Sequence, residues 1–340
     1  MVETPPKKWR YGINRWIILG LIILNIYFVY YVYYPVLPHI QLPAENVSAT
    51  PLFSNFYLTN TLVATLLADV ILILIAFAVS RAARSGDLIP RGIPGAIEAI
   101  LEVINNLTES TAGKWAKSIF PFFATITLLV LVVNWMELIP GVDSIGRLEH
   151  AEHGFPVEEV IPGSNIFTIL SERDAGELAA EEAAHDGGFA LVPYIRVAST
   201  DLNFTVALAL ISVLMTQVMG VRSLGVTYFT KFINVGGIFT RPVFGVIDFG
   251  VGLLELVSEF SKLLSFSFRL FGNIFAGSVL LFVIGTLIPV FFQSLFLGLE
   301  FFVGLIQAVV FGMLTMVFMA QATQGHGEHH DEESAGEANA

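Results

Sequence analysis

Long apolar runs, separated by short basic or acidic segments, dominate the hydrophobic and polar pattern of this chain. Runs of about 20 apolar residues match helices that cross the hydrocarbon core of a bilayer. Such runs occupy residues 16–34, 59–79, 120–139, 204–221, 243–287 and 292–322. The predicted fold is therefore all-α: a polytopic helical membrane protein with about six membrane helices, the last two being long and forming an intramembrane hairpin.

Residues 94–118 follow a different pattern, in which apolar and polar side chains alternate with the period of a helix. The apolar positions are Ile97, Ile100, Leu101, Ile104 and Leu107, and the polar ones are Glu98, Glu102, Asn105 and Lys114. This pattern predicts an amphipathic helix on the inner membrane surface. On the last helix, Gly304, Ala308 and Gly312 recur every four residues, a spacing that lets a neighbouring helix approach closely.

The charges predict how the chain crosses the membrane. Twelve of the seventeen Lys and Arg residues lie in alternate segments, which the positive-inside rule assigns to the cytoplasm. Both termini are then cytoplasmic, and the end of each helix that faces away from the cytoplasm is called its outer end. Residues 141–193 carry eleven acids against two arginines and are predicted to form an outer loop. The long first apolar run favours a retained anchor over a cleaved signal peptide.

These patterns divide the chain into five predicted regions. They are an extra membrane helix with an outer linker (1–50), the second and third spans with the amphipathic helix (51–140), the acidic outer loop (141–193), the core helices (194–324) and a disordered tail (325–340). The acidic excess lies mostly in the loop and the tail, so it does not indicate a binding groove for a cationic partner. No nucleic-acid partner is expected.

Composition excludes several classes of function. With 55% hydrophobic and 14% charged residues and a mean hydropathy of +0.73, the chain is too apolar for an ordinary soluble domain. The absence of cysteine excludes disulfides and thiolate catalysis. No nucleotide-binding or hydrolytic motif occurs, so we expect no cofactor and no nucleotide binding. His150, His153 and His185 lack the spacing of metal ligands, and no metal site is predicted.

Arg269 is the most informative charge, because it lies inside the long apolar run 243–287. Placing an arginine near the bilayer centre costs roughly 2.5–3.5 kcal/mol on insertion scales, so such residues usually mark an ion or substrate path. At about 100° per residue, Arg269 shares one helix face with other polar residues. They are Glu255, Ser258, Glu259, Lys262, Ser265 and Asn273.

Other interpretations of these charges are structural. Arg269 could extend to the lipid headgroups or form a buried ion pair with Glu255 or Glu259. Asp69, in the middle of the second span, is predicted to face a neighbouring helix. The whole chain could be an autonomous channel or transporter, or a structural anchor of a membrane assembly. The former would more often contain internal repeats, which are not evident in this sequence.

Three segments carry a family resemblance: residues 134–140 (NWMELIP), 193–203 (PYIRVASTDLN) and 269–277 (RLFGNIFAG), followed by Gln307. Together they closely resemble the subunit a family of F-type ATP synthases, over roughly residues 51–140 and 193–322. The resemblance implies a membrane stator beside a rotating ring of c subunits in a bacterial plasma membrane. Peripheral-stalk b-type subunits and, indirectly, the soluble ATPase head are the other implied partners, and nucleotide chemistry belongs to other subunits.

The resemblance also implies roles for individual residues. Arg269 is the fixed cation that faces the ring carboxylate. The outer proton path contains Asn273, Ser278, Glu300, Gln307, Asp201 and Asn203, and the inner path contains Glu255, Ser258, Glu259 and Lys262. Many family members carry Glu or His at the position of Ser278, which cannot titrate here, so the outer path is expected to depend more on Glu300. The coupling ion, proton or sodium, is selected mainly by ligands on the ring.

Overall fold

The computed structural model describes residues 11–27, 43–48, 50–51, 54, 56–84, 92–139, 141–151, 154–170, 188–232, 242–287 and 291–324. Within them are seven α-helices and four short strands. The helices are α1 (Tyr11–Tyr27), α2 (Asn60–Arg84), α3 (Ile93–Ala112), α4 (Ala116–Met136), α5 (Leu202–Leu224), α6 (Pro242–Leu287) and α7 (Phe291–Ala322).

The predicted polytopic helical fold is confirmed. Five helical stretches of the described chain are long and apolar enough to cross a membrane, and they coincide with the second to sixth predicted spans. Helix α1 extends over 17 described residues, and the end of the predicted first span, together with the tail 325–340, lies outside the described residues.

The predicted amphipathic helix is α3, and it is shorter than expected at its C-terminal end. Gly113 follows it with a φ of 49°, a left-handed conformation that ends the helix. A single 3₁₀ turn, Gly113–Trp115, then leads directly into α4. Ile104 is buried in α3 whereas Glu98 and Glu102 are exposed, as the amphipathic pattern predicted.

The acidic loop contains β-structure that the sequence pattern did not predict. Strands β1 (Gly146–Ala151) and β4 (Gly188–Pro193) pair antiparallel, with Gly146 opposite Pro193 and Ala151 opposite Gly188. Strands β2 (Val157–Glu159) and β3 (Phe167–Ile169) form a second antiparallel pair. Residues 171–187, which carry several of the acids, lie outside the described residues.

The chain forms two compact units. One comprises the described residues within Met1–Gln41, Asp143–Tyr194 and Ala276–Phe302, and the other comprises those within Leu42–Val142, Ile195–Phe275 and Val303–Ala340. The second unit holds two apolar clusters, in which side chains of α2, α4, α5, α6 and α7 pack together. The largest fully buried ones include Phe123, Ile119, Met219, Leu270, Ile274, Phe311 and Met316.

Helices α6 and α7 form the predicted antiparallel hairpin. In the second unit Phe266 packs on Phe311 with ring centroids 5.3 Å apart and on Phe318 at 5.5 Å. In the first unit, Gly285 near the end of α6 lies beside Gln293 near the start of α7. In each unit, one side of α6 therefore contacts α7.

Glycines on α7 allow the close approach to α4 that their spacing predicted. A Cβ atom added to Gly304 would lie 3.2 Å from Asn134 Cβ, and Ala308 between the two glycines is fully buried. A Cβ atom on Gly312 would collide with Thr127 Oγ1 and would lie 2.9 Å from Phe123 Cε2. The contact between α4 and α7 therefore depends on the missing side chain of Gly312.

We expect Gly312→Leu to destabilise the protein, by about 1–3 kcal/mol on the usual scale for overpacked cores. The leucine side chain has no room between Thr127 and Phe123, so α4 and α7 must separate. Gly298→Leu is the matched control, because a Cβ atom there meets no other atom within 4 Å. Thermal denaturation of the detergent-extracted protein should show a lower midpoint for Gly312→Leu alone. Equal midpoints would contradict the tight α4–α7 contact.

Candidate functional site

Arg269 lies on the exposed side of α6. Its neighbours Phe266, Leu270 and Ile274 are buried against the rest of the second unit, whereas Arg269 itself is exposed. Among the described residues, no carboxylate lies within 4.0 Å of its guanidinium group. Helix α6 continues for 18 residues, about 27 Å, beyond Arg269. The cation therefore lies deep in an apolar helix and is exposed on the side of α6 opposite the buried core of its own compact unit.

One helical turn further towards the predicted outer end, Asn273 connects α6 to α7. Its Nδ2 donates a 2.7 Å hydrogen bond to Oε1 of Gln307. Gln307 is only 3% exposed, and its Nε2 finds no acceptor among the described residues. Buried amide donors are almost always satisfied by protein or by water. Gln307 thus has a buried N–H donor that can bind a further acceptor, beside the exposed Asn273.

Glu300 belongs to the other compact unit, where it packs against Gly277. The Glu300 side chain is 6% exposed, and a Cβ atom on Gly277 would collide with its carboxyl oxygens. The missing side chain of Gly277 therefore creates the space that this carboxyl occupies between α6 and α7. Ser278, the next residue, is partly buried in the same unit.

Asp201 and Asn203 have different environments at the start of α5. The backbone N–H of Asn203 donates to Asp201 Oδ1 at 2.9 Å, so Asp201 caps the helix, and Thr61 Oγ1 donates to Asp201 Oδ2 at 2.9 Å. Each carboxylate oxygen thus has a partner, and Asp201 is 6% exposed. With this geometry, Asp201 caps the N-terminus of α5. The side chain of Asn203 is exposed.

Other buried polar residues near Asp201 were not among the predicted site residues. Ser199 Oγ donates to Asn134 Oδ1 at 2.7 Å, and Asn134 Nδ2 donates to the Gly304 carbonyl oxygen at 3.2 Å. Asn60 is fully buried and its Oδ1 accepts a hydrogen bond from the Glu45 amide. Asn134 and Ser199 lie in the motif segments 134–140 and 193–203. Their place in these segments was a sequence signal that could have identified them.

The predicted inner set forms an ionic cluster. Glu259 accepts hydrogen bonds from Lys262 Nζ at 2.8 Å and from Gln217 Nε2 at 3.0 Å, and Lys231 Nζ lies 3.9 Å away. Lys231 also pairs with Glu255 at 2.7 Å. Glu255 and Glu259, the alternative partners of Arg269, therefore bind lysines instead. Two carboxylates and two ammonium groups balance one another in this cluster.

Further members of the cluster were not predicted from the sequence because they do not lie on α6. Tyr228 donates from Oη to Gln217 Oε1 at 2.8 Å, which extends the chain of hydrogen bonds to Glu259. Gln217 belongs to α5, and Tyr228 and Lys231 belong to the 3₁₀ segment Gly225–Lys231 that follows it. Ser258, by contrast, is exposed on α6.

The described chain has several membrane-length helices. Helix α6 carries an arginine that is exposed deep in an apolar stretch, together with separate polar clusters. These are the features of an ion-translocating membrane subunit. The chain belongs to the family described as ATP synthase A chain, whose model matches residues 62–320. Similar proteins include ATP synthase subunit a of Mycobacterium bovis and of Mycobacterium tuberculosis. Each is 28% identical over 280 residues, covering 80% of this chain and 90% of the relative.

Membership of this family establishes the general role of the protein. The protein is an integral membrane protein, and its general role is in proton translocation by the membrane sector of an F-type ATP synthase. The predicted resemblance is thereby confirmed.

Proposed function

We propose that Arg269 separates two proton half-paths and faces the rotating ring of c subunits. The observation that carries the proposal is its exposure on α6: the cation is directed outward in an apolar helix, and no described carboxylate neutralises it. An unpaired charge at this depth requires a partner of opposite sign, and a ring carboxylate is such a partner.

The outer half-path, in this proposal, uses Glu300 as the titrating group and the Asn273–Gln307 pair as the hydrogen-bonding step next to Arg269. Glu300 has a carboxyl niche at Gly277, and Gln307 has a buried donor available. Ser278 and Asn203 contribute polar surface, and Asp201 contributes by fixing the start of α5. A proton that enters here neutralises the ring carboxylate, which can then face lipid.

The inner half-path leads from the ring to the Glu255–Glu259 cluster. Lys262 and Gln217 hold the Glu259 side chain in place, while Glu255 is the more accessible carboxylate. Ser258 is exposed on α6 and, in this proposal, adds a polar group on the side that faces the ring. When a ring carboxyl approaches Arg269, the charge pair is stabilised by about 4 kcal/mol at 4 Å and an effective dielectric of 20, which favours proton release.

The proposal includes the wider assembly. The ring, b-type peripheral-stalk subunits and the soluble head are the partners, the last acting indirectly. The membrane is a bacterial plasma membrane with both termini in the cytoplasm, consistent with the basic segments at the predicted inner ends of the helices.

Cross-linking tests whether the Arg269 face of α6 contacts the ring. The chain has no cysteine, so Ser265→Cys introduces a single thiol one turn from Arg269 on the same exposed face. We expect oxidation of native membranes to form a disulfide with single-cysteine c subunits at mid-membrane depth. Phe266→Cys, which points into the protein, is the control and should form none. Absence of any Ser265→Cys product across a scan of ring positions would contradict the proposed orientation.

A further inference from the structure

Tyr228 is a buried polar residue to which the proposed proton path gives no role. It belongs to the 3₁₀ segment Gly225–Lys231 and is only 2% exposed. A Cβ atom on Gly220 of α5 would collide with its ring, so the missing side chain of Gly220 provides the space that the ring occupies. The ring of Phe232 packs against it edge-on, with centroids 5.8 Å apart. The packing of the ring therefore holds the hydroxyl group in one place.

The hydroxyl group of Tyr228 determines how the Gln217 amide is oriented. An amide side chain accepts through its oxygen and donates through its nitrogen, so its two ends are not interchangeable. Tyr228 Oη donates to Gln217 Oε1 at 2.8 Å, and Gln217 Nε2 donates to Glu259 Oε2 at 3.0 Å. If the amide were reversed, two acceptor oxygens would face each other at Glu259. The hydroxyl therefore keeps the donating end of Gln217 directed at the carboxylate.

The two carboxylate oxygens of Glu259 have different partners. Oε1 accepts from Lys262 Nζ at 2.8 Å and lies 3.9 Å from Lys231 Nζ. Among the described residues, Gln217 is the sole hydrogen-bond donor to Oε2. Lys262 lies on α6 itself, one turn from Glu259, whereas Gln217 lies on α5. The hydrogen bond that Tyr228 supports is therefore the one that connects Glu259 to α5.

We propose that Tyr228 is a positioning residue of the inner half-path: its hydroxyl sets the Gln217 amide, and the amide holds the Glu259 carboxylate in place next to the Glu255–Lys231 pair. The inference rests on the proposed function, because it concerns the same ionic cluster. Tyr228 acts through Gln217 and carries no proton along the path. Its own proton stays on the hydroxyl, where it is donated to Gln217.

Loss of the hydroxyl should change the pH range in which the cluster holds a proton. Without it the Gln217 amide can turn, and Glu259 Oε2 loses its ordered donor. Hydrogen bonds donated to a carboxylate favour its charged form, so the cluster should then retain a proton to higher pH. The charged groups around Glu259 are Lys231, Lys262 and Glu255, and they stay the same. The expected shift is about half to one pH unit, the size of one hydrogen bond.

The pH profile of ATP-driven pumping tests the inference. In inverted vesicles the medium is the cytoplasmic side, from which the inner half-path takes up protons. Phenylalanine still fills the niche at Gly220, so Tyr228→Phe should assemble, and the alkaline limb of its pumping rate should move to higher pH by about half to one unit. Tyr57→Phe removes the hydroxyl of an exposed tyrosine outside the cluster and should leave the profile unchanged. Each rate is normalised to ATP hydrolysis by the detached head at the same pH.

A double variant shows whether Tyr228 acts through Gln217. Gln217→Leu removes the donor itself and should shift the profile at least as far as Tyr228→Phe. Tyr228→Phe combined with Gln217→Leu should shift it no further than Gln217→Leu alone, whereas a purely structural tyrosine would leave the pH profile unchanged. An unchanged profile in assembled Tyr228→Phe, or a further shift in the double variant, would overturn the inference.

Glu255→Gln separates failure of this inference from failure of the proposed half-path. If the cluster lies on the inner half-path, pumping should fall at least about tenfold in this variant, because glutamine cannot take up and release a proton. Reduced pumping by Glu255→Gln together with an unchanged Tyr228→Phe profile would overturn the role of Tyr228 alone. Normal pumping by Glu255→Gln would overturn the inner half-path itself, and the role of Tyr228 with it.

Discussion

Arg269→Ala is expected to abolish ATP-driven acidification of inverted membrane vesicles. The charge pair that it removes is worth about 4 kcal/mol at an effective dielectric of 20. Such a difference changes a proton-release equilibrium by about a thousandfold. Without the cation, the ring carboxylate has no partner that favours its charged form, and the barrier between the two half-paths is lost. Quenching of a pH-sensitive dye in the vesicles measures the effect.

Two controls separate this result from misassembly. Copurification of the ring and the soluble ATPase head must be unchanged in Arg269→Ala. Arg222→Ala removes another exposed arginine, in the last turn of α5, and should pump normally. Arg269→Lys keeps the charge but loses the planar guanidinium, so partial activity is expected. Acidification near the wild-type rate in assembled Arg269→Ala would mean that the residue is structural.

The helices of the fold could be predicted closely from the sequence. The apolar runs 243–287 and 292–322 correspond to α6 (Pro242–Leu287) and α7 (Phe291–Ala322) because membrane-length helices satisfy their own backbone hydrogen bonds. The strands of the acidic loop could not be found in this way. Strands β2 and β3 contain only three residues each. Strands β1 and β4 contain six residues each, and their pairing joins positions far apart in the sequence, from Ala151 with Gly188 (188 − 151 = 37 positions) to Gly146 with Pro193 (193 − 146 = 47 positions).

The site was predictable to the extent that it lies on one helix. Helical periodicity predicted one polar face with Arg269 and six other residues, of which Ser258, Ser265 and Asn273 are exposed like Arg269 itself. Glu255 and Lys262 of the same predicted face are partly buried, and Glu259 is buried. Contacts between helices required the structure. Lys231 binds Glu255 and Glu259 from a segment more than 20 residues away, and periodicity along α6 contains no information about such partners.

The hydrogen bonds of Asp201 could not be predicted from the sequence either. Its position at the outer end of a membrane helix, in a family motif, suggested a place on the proton path. The structure adds that its two carboxylate oxygens accept from the Asn203 amide and from Thr61. A carboxylate in an N-cap position looks the same in sequence as one that carries protons. The hydrogen bonds identify Asp201 as the cap of α5, and its place on the proton path stays a prediction.

Glu300→Gln is expected to lower ATP-driven pumping by at least tenfold while the complex assembles normally. Glutamine has nearly the same shape and fits the niche at Gly277, but it cannot take up and release a proton. Because Ser278 cannot titrate either, no second titrating side chain is available at this pair of positions. Glu300→His restores a titrating group and should recover part of the activity, as measured by dye quenching and by the dependence of the pumping rate on pH.

The niche itself provides the matched comparison. Gly277→Ala adds a Cβ atom that collides with the Glu300 carboxyl and should displace it, whereas Gly298→Ala on α7 meets no atom within 4 Å and should pump normally. Gly277→Ala keeps the Glu300 carboxyl group. A loss of pumping in this variant would therefore indicate that the position of Glu300 matters as well as its charge. Normal pumping by both Glu300→Gln and Gly277→Ala would show that Glu300 is not on the outer path. The proton would then have to enter along the buried pair of Ser199 and Asn134, whose hydrogen bonds reach the Gly304 carbonyl oxygen of α7.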